Sequence, residues 1–109
     1  MTIQQVKAML NNIGLTYAYH HFAEGEAPTL PYVIYYYPDT SNFAADDKVY
    51  KAALDLTIEF YSKKRDLEKE WIIEDEMYLY GLFWQKHEVY IESEKVYMIR
   101  YEMEGAVMG

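Results

Sequence analysis

Between Val49 and Tyr61 the chain alternates apolar and polar residues with hardly a break. Tyr50, Ala52, Leu54, Leu56, Ile58 and Phe60 fall on one side of an extended backbone, and Lys51, Asp55, Thr57 and Glu59 on the other. A period of two means a strand with one dry face and one wet face, so the fold must supply a layer that covers the dry side. The 13 residues from 49 to 61 would extend about 43 Å, longer than strands usually run. The spacing therefore predicts a strand whose first part projects beyond its sheet, paired with the preceding segment as a long hairpin.

Two helices are expected to supply that layer. Thr2 and Gln5 stand at capping-box spacing. Ile3, Val6, Met9, Leu10 and Ile13 then recur on one helical stripe, and Gly14 suits the left-handed residue that ends a helix. The second helix is expected from Asp66, a capping residue, to Tyr80, with Gly81 closing it. Its apolar residues are scattered: Ile73, Met77 and Tyr80 form one group, Leu67, Trp71 and Tyr78 another, and Ile72 and Leu79 lie off both. A helix apolar on several sides has more than one neighbour, and some of that surface is expected to face another subunit.

Further strands are expected at 15–22, at 32–37 where both alternating faces are apolar, and at 83–91 and 96–103 around the short turn Glu92-Ser93-Glu94-Lys95. Pro38 ends the second of these, and 39–47 reads as a polar loop in which Phe43 is the one aromatic residue. The resulting order is α-β-β-β-α-β-β. Strands in meander runs around two helices give an α+β, single-domain sandwich over residues 1–109, its mainly antiparallel sheet packed by two helices.

Composition narrows the class further. No run of about 18 apolar residues exists, so no membrane-spanning helix is expected. The start Met1-Thr2-Ile3-Gln4-Gln5 lacks the pattern of a signal peptide. With no cysteine there is no disulfide frame or thiolate chemistry. A formal net charge of −8 argues against a grip on nucleic acid, which depends on neutralising phosphates. The charge is uneven: residues 1–65 are net −1 and residues 66–109 net −7. Thirteen tyrosines suit surfaces that are half dry and half wet, protein interfaces among them.

Searching for chemistry yields little. His20 and His21 with Glu24 and Glu26 suggest a metal, but neighbours on a strand point to opposite faces and are not expected to share one ion. His87 stands alone, with Glu88 on the other strand face. Glu68, Glu70, Glu74, Asp75 and Glu76 read as a solvated helix face, since acid–base work needs carboxylates in a sheltered cleft. Gly25 and Gly81 form no phosphate loop, and Ser41, Ser62 and Ser93 lie in no nucleophile context. Lys63-Lys64-Arg65 is too short for a nucleic-acid patch. No catalytic, cofactor-binding or metal-ligating residue is assigned, no cofactor is expected, and the chain does not read as an enzyme.

Three stretches carry a likeness when taken together. They are Ala18-Tyr19-His20-His21-Phe22 with Glu24-Gly25-Glu26-Ala27-Pro28 and Leu30-Pro31-Tyr32; Asp47-Lys48-Val49-Tyr50; and 90–97 followed by Tyr101-Glu102-Met103-Glu104. As a set they resemble a family of small phage and prophage minor tail proteins of Gram-positive bacteria, similar to the tail terminators of long non-contractile-tailed phages. That resemblance implies an α+β fold, a hexameric ring, and a structural role: the ring caps the tail tube and meets the head connector. The implied partners are copies of itself, the tail-tube protein and a head-completion or connector protein, with no membrane and no sequence-specific nucleic acid. The implied location is the virion tail, and the host cytoplasm before assembly. It brings no site residues. A head–tail joining (neck) protein and a small-ligand or metal-binding domain stand as the alternatives. Two readings stand for the 39–48 loop: Phe43 is an isolated exposed aromatic of the ordinary kind, or the loop orders against a neighbouring subunit or the tube with Phe43 as its anchor.

Overall fold

The alternating segment becomes the centre of a five-stranded sheet. The protein, seen in a computed structural model, is described over residues 1–45 and 48–108, without the side chains of 43–45 and 48–51. The elements run α1 (Ile3–Ile13), β1 (Thr16–Tyr19), β2 (Tyr32–Tyr36), β3 (Phe43–Ala45), β4 (Lys48–Lys51), β5 (Ala53–Ser62), α2 (Leu67–Leu79), β6 (Gln85–Ile91) and β7 (Val96–Met108). The main sheet has the order β1-β2-β5-β7-β6, and β3 pairs with β4 in a separate two-stranded ladder. Every neighbouring pair is antiparallel except β1 with β2. The expected α+β class, with two helices on a mainly antiparallel sheet, is the one observed.

Local chemistry fixes the ends of α1. The Thr2 hydroxyl accepts the Gln5 N–H at 3.1 Å, and the Gln5 side chain accepts the Thr2 N–H at 2.8 Å. At the other end Gly14 takes φ +82, which a side chain would oppose, and its N–H returns to the Leu10 carbonyl. Between these caps Val6, Met9, Leu10 and Ile13 turn inward together.

Both helices cover the same side of the sheet. Leu56, Ile58 and Phe60 of β5 lie opposite Met103, Tyr101 and Ile99 of β7, and these six pack with Val6, Met9 and Leu10 of α1 and Ile73 and Met77 of α2. All eleven are buried to within about a hundredth of full burial. The helix-free side carries Tyr32, Ile34 and Tyr36, then Thr57, Glu59 and Tyr61, then Met98, Arg100 and Glu102, in register across three strands. The accessible surface is 7167 Å², above the about 6,300 Å² usual for a folded chain of this mass.

Several boundaries depart from the sequence expectation. The strand expected from 49 to 61 is interrupted at Ala52, dividing it into β4 and β5. There the Asn42 side chain, rather than a backbone carbonyl, takes the Ala53 N–H at 3.1 Å, so the ladder changes partner. β1 stops at Tyr19 because His20 adopts φ +67, off the extended path. β7 runs on to Met108 instead of ending at Met103. A bulge at Gly105 (φ +58) makes this extension possible, its N–H bonding the Asp55 carboxylate at 2.8 Å. The far end is then tied to the N-terminus: the Met1 amine reaches the Ala106 carbonyl at 3.0 Å. β6 begins at Gln85, leaving Phe83 exposed before it. The expected anchor, the Phe43 side chain, lies outside the described residues.

Phe60, fully buried at the meeting of sheet and helices, makes the core testable. Phe60→Ala should lower unfolding free energy by about 3–5 kcal/mol, read from the midpoint of a urea titration. A loss well under 1 kcal/mol would mean that this layer is not the core.

Candidate functional site

The second helix buries charge and exposes apolar surface. Its inward stripe is Glu70, Ile73 and Met77, and Glu70 has no solvent exposure at all (0%). On the outer side Trp71 is 55% exposed, Tyr78 76% and Leu79 74%, with Leu67 and Ile72 also open. The expectation of a solvated carboxylate face is therefore corrected at Glu70 and Glu74. Four residues apart, they share the side turned toward β6, where cations await them.

Glu70 is held from two directions. Arg65, just before the helix, gives it a forked contact, with Nε at 2.8 Å and Nη2 at 3.0 Å. Lys86 of β6 places Nζ 2.8 Å from Glu70 and 2.7 Å from Glu74. The Tyr101 hydroxyl donates to Glu74 at 2.8 Å, and Arg65 also pairs with Glu88 of β6. Buried charges persist only when paired and hydrogen-bonded, and this cluster meets both conditions. Burial by itself would raise the Glu70 carboxyl, but the hydrogen bonds and charges of Arg65 and Lys86 hold it below the ordinary carboxylate value. Burial would lower the Lys86 ammonium, and the two carboxylates outweigh that and raise it. Tyr101 is pushed upward, by burial first and by Glu74 second, so its hydroxyl stays a donor.

A second polar cluster lies on the helix-free side. Glu59, only 7% exposed, accepts from the Tyr36 and Tyr61 hydroxyls, each at 2.8 Å, and from Arg100 Nε at 3.3 Å. Burial and the bond to Glu59 push the Tyr36 phenol up to about 12, and Tyr61 is raised for the same reasons. Beside it a pocket of about 340 Å³ is lined by Asp39, Asp55, Glu102 and Glu104 with Arg100. Both oxygens of Glu59 are engaged, as a stable cross-strand brace requires; a general base would keep one free.

The histidines behave differently from expectation. His20 and His21 come together, with Nδ1 atoms 3.1 Å apart, because the left-handed turn at His20 takes the pair off the strand. Opposed faces therefore do not separate them. Among the described residues no group of three or more metal-ligating side chains assembles. His87 faces Glu102 at 3.2 Å, while Glu88 points to the helical side as expected. Ser41 donates to Asp55 at 2.7 Å, and Ser62 carries a buried hydroxyl with no hydrogen-bond partner among the described residues. Among the described residues no helix is long and apolar enough to cross a membrane.

Sequence reasoning missed the Glu70 cluster because the signal was split. Glu70 and Glu74 were visible at helical spacing, but Lys86 sits on a strand after the helix and Arg65 before its cap. Compared with protein-family models and with curated proteins, the chain matches none.

Glu70→Gln should keep the fold and lower its stability at neutral pH by roughly 2 kcal/mol, since charge-assisted bonds to Arg65 and Lys86 are lost. Glu70 titrates below its ordinary value of 4.5, so its contribution is full above that value and is lost as pH falls through the folded value. The gap between the two proteins in urea midpoint should therefore narrow in acid. A gap that stays constant would show that the Glu70 charge does not stabilise the fold.

Proposed function

We infer that the chain is a structural component of a phage or prophage tail. In this reading it is a terminator that closes as a ring of like subunits on the tail tube and presents its other side to the head connector. The observation that carries the reading is the outer side of α2. Leu67, Trp71, Tyr78 and Leu79 lie open along one helix, and Phe83 follows it at 83% exposure. Exposed apolar surface gathered in this way marks a contact with another protein. Trp and Tyr are the residues that carry most binding energy in such contacts.

Two further features support assembly over catalysis. The main sheet ends in two uncovered edge strands, β1 and β6, and all residues of β6 but the last are exposed. Unpaired edges offer backbone hydrogen bonds to a neighbouring subunit, and head-to-tail contacts of that sort close into rings. The polar clusters are internally satisfied and serve as braces. On this reading the protein is not an enzyme and acts through its surfaces. The net −7 carried by residues 66–109 would let DNA slide past without gripping it.

Sedimentation of the protein alone and with tail-tube protein tests the reading. Association with the tube, abolished in Trp71→Glu/Leu79→Glu while the urea midpoint stays unchanged, is the expected result. A monomer in both conditions, with no tube binding, would rule the terminator out.

A further inference from the structure

Two imidazoles meet just beyond the end of β1. His20 takes φ +67, and the His21 N–H returns to the Tyr19 carbonyl at 2.8 Å, closing a tight three-residue turn. Such γ-turns with positive φ are rare and strained, and outliers of this kind gather at functional sites. The surrounding sheet holds the turn in place. The His20 N–H bonds the Tyr35 carbonyl at 2.8 Å, and its ring packs on Tyr36 with centroids 5.7 Å apart. As a result the Nδ1 atoms of His20 and His21 lie 3.1 Å apart on the surface, with the ring planes at 90°.

That separation has a chemical meaning. Imidazole nitrogens sit about 2.0–2.1 Å from zinc. Two of them on one ion are then about 2.8–3.4 Å apart, between a right angle and the tetrahedral angle. The observed 3.1 Å falls inside this range. Without a metal the same contact is one N–H···N hydrogen bond, with a proton on one Nδ1 and a lone pair on the other. Moving that proton to Nε2 leaves two lone pairs able to meet at one point. Each ring needs only a turn about χ2, a torsion that is broad for histidine.

The surroundings select the kind of ion. No carboxylate oxygen lies within 4.0 Å of the nitrogens of either ring among the described residues, so Glu24 and Glu26 stay outside the set. A pair of imidazole nitrogens suits a borderline cation such as zinc or nickel. It gives a hard ion such as magnesium, which takes oxygen ligands, nothing to hold.

We propose that His20 and His21 chelate one borderline divalent transition cation through their Nδ1 atoms, with water in the remaining positions. Opposed strand faces, the obstacle to a shared ion, end with β1 at Tyr19. The pair lies on neither α2 nor Phe83, and its chemistry is independent of the tail reading.

The test uses the untagged full chain, titrated calorimetrically with the chlorides of zinc(II), nickel(II) and magnesium(II). One zinc or nickel ion per chain is expected, with magnesium bound far more weakly. Zinc should move the ¹⁵N resonances of Nδ1 in His20 and His21 and leave those of His87 in place. His20→Asn supplies a residue that tolerates the left-handed turn, and His21→Asn changes an exposed side chain. Each should weaken zinc binding about tenfold or more, since a chelate needs both rings, while the urea midpoint shows that the fold is kept. A smaller loss in either variant would mean two separate imidazoles and would overturn the proposal. So would absence of zinc binding at millimolar concentration. Magnesium bound as tightly as zinc would overturn it too, because it would mean diffuse attraction to carboxylates on a chain of net charge −8.

Discussion

A carboxylate with no solvent contact must find cations or lose its charge, and Glu70 finds two. Arg65 approaches from the chain before α2, and Lys86 from the edge strand beyond it. Because these contacts come from different elements, they fix the rotation of the helix as well as its position. Turning α2 to bring Trp71 inward would carry Glu70 into the open and leave Lys86 with Glu74 alone. The buried charge on one side thus determines the apolar surface on the other. Swapping such a cluster for apolar residues is often neutral or stabilising in other proteins, so its value here lies in orientation more than in free energy.

Much of the fold was legible because its rules are local. The capping box of Thr2 and Gln5, the inward stripe of α1 and the period of two in β5 each depend on residues within a few positions of one another. The orientation of α2 does not. Its apolar residues point several ways on a wheel, since the inward side contains carboxylates whose partners come from elsewhere in the chain. The break at Ala52 likewise rests on a single side-chain bond from Asn42 to Ala53, which no periodicity announces. The left-handed His20 is of the same kind: it ends β1 early and brings two histidines together that strand geometry would separate.

Charge is divided by purpose across the surface. The cationic run 63–65, which read from sequence as too short for a nucleic-acid patch, lies on the lining of a pocket together with Lys69 of the helix. Its last member, Arg65, is drawn away into the Glu70 cluster. Carboxylates dominate the opposite sheet end, where Asp39, Asp55, Glu102 and Glu104 line the pocket near Arg100. The Glu59 brace ties β2, β5 and β7 together on the helix-free side, with the Tyr36 and Tyr61 hydroxyls and Arg100 as donors. Tyr32 stacked on Tyr61, with centroids 5.1 Å apart, shows how these rings replace a covering helix.

On the proposed reading, the exposed apolar residues of α2 are kept for a protein neighbour. Because the chain has no cysteine, Leu79→Cys introduces a single thiol at a position 74% exposed. Its rate of reaction with a thiol reagent can then be compared in the isolated chain and in the chain mixed with tail-tube protein. A rate close to that of a free thiol is expected in the isolated chain, with a strong slowing on assembly. Assembly that left the thiol equally reactive would contradict it.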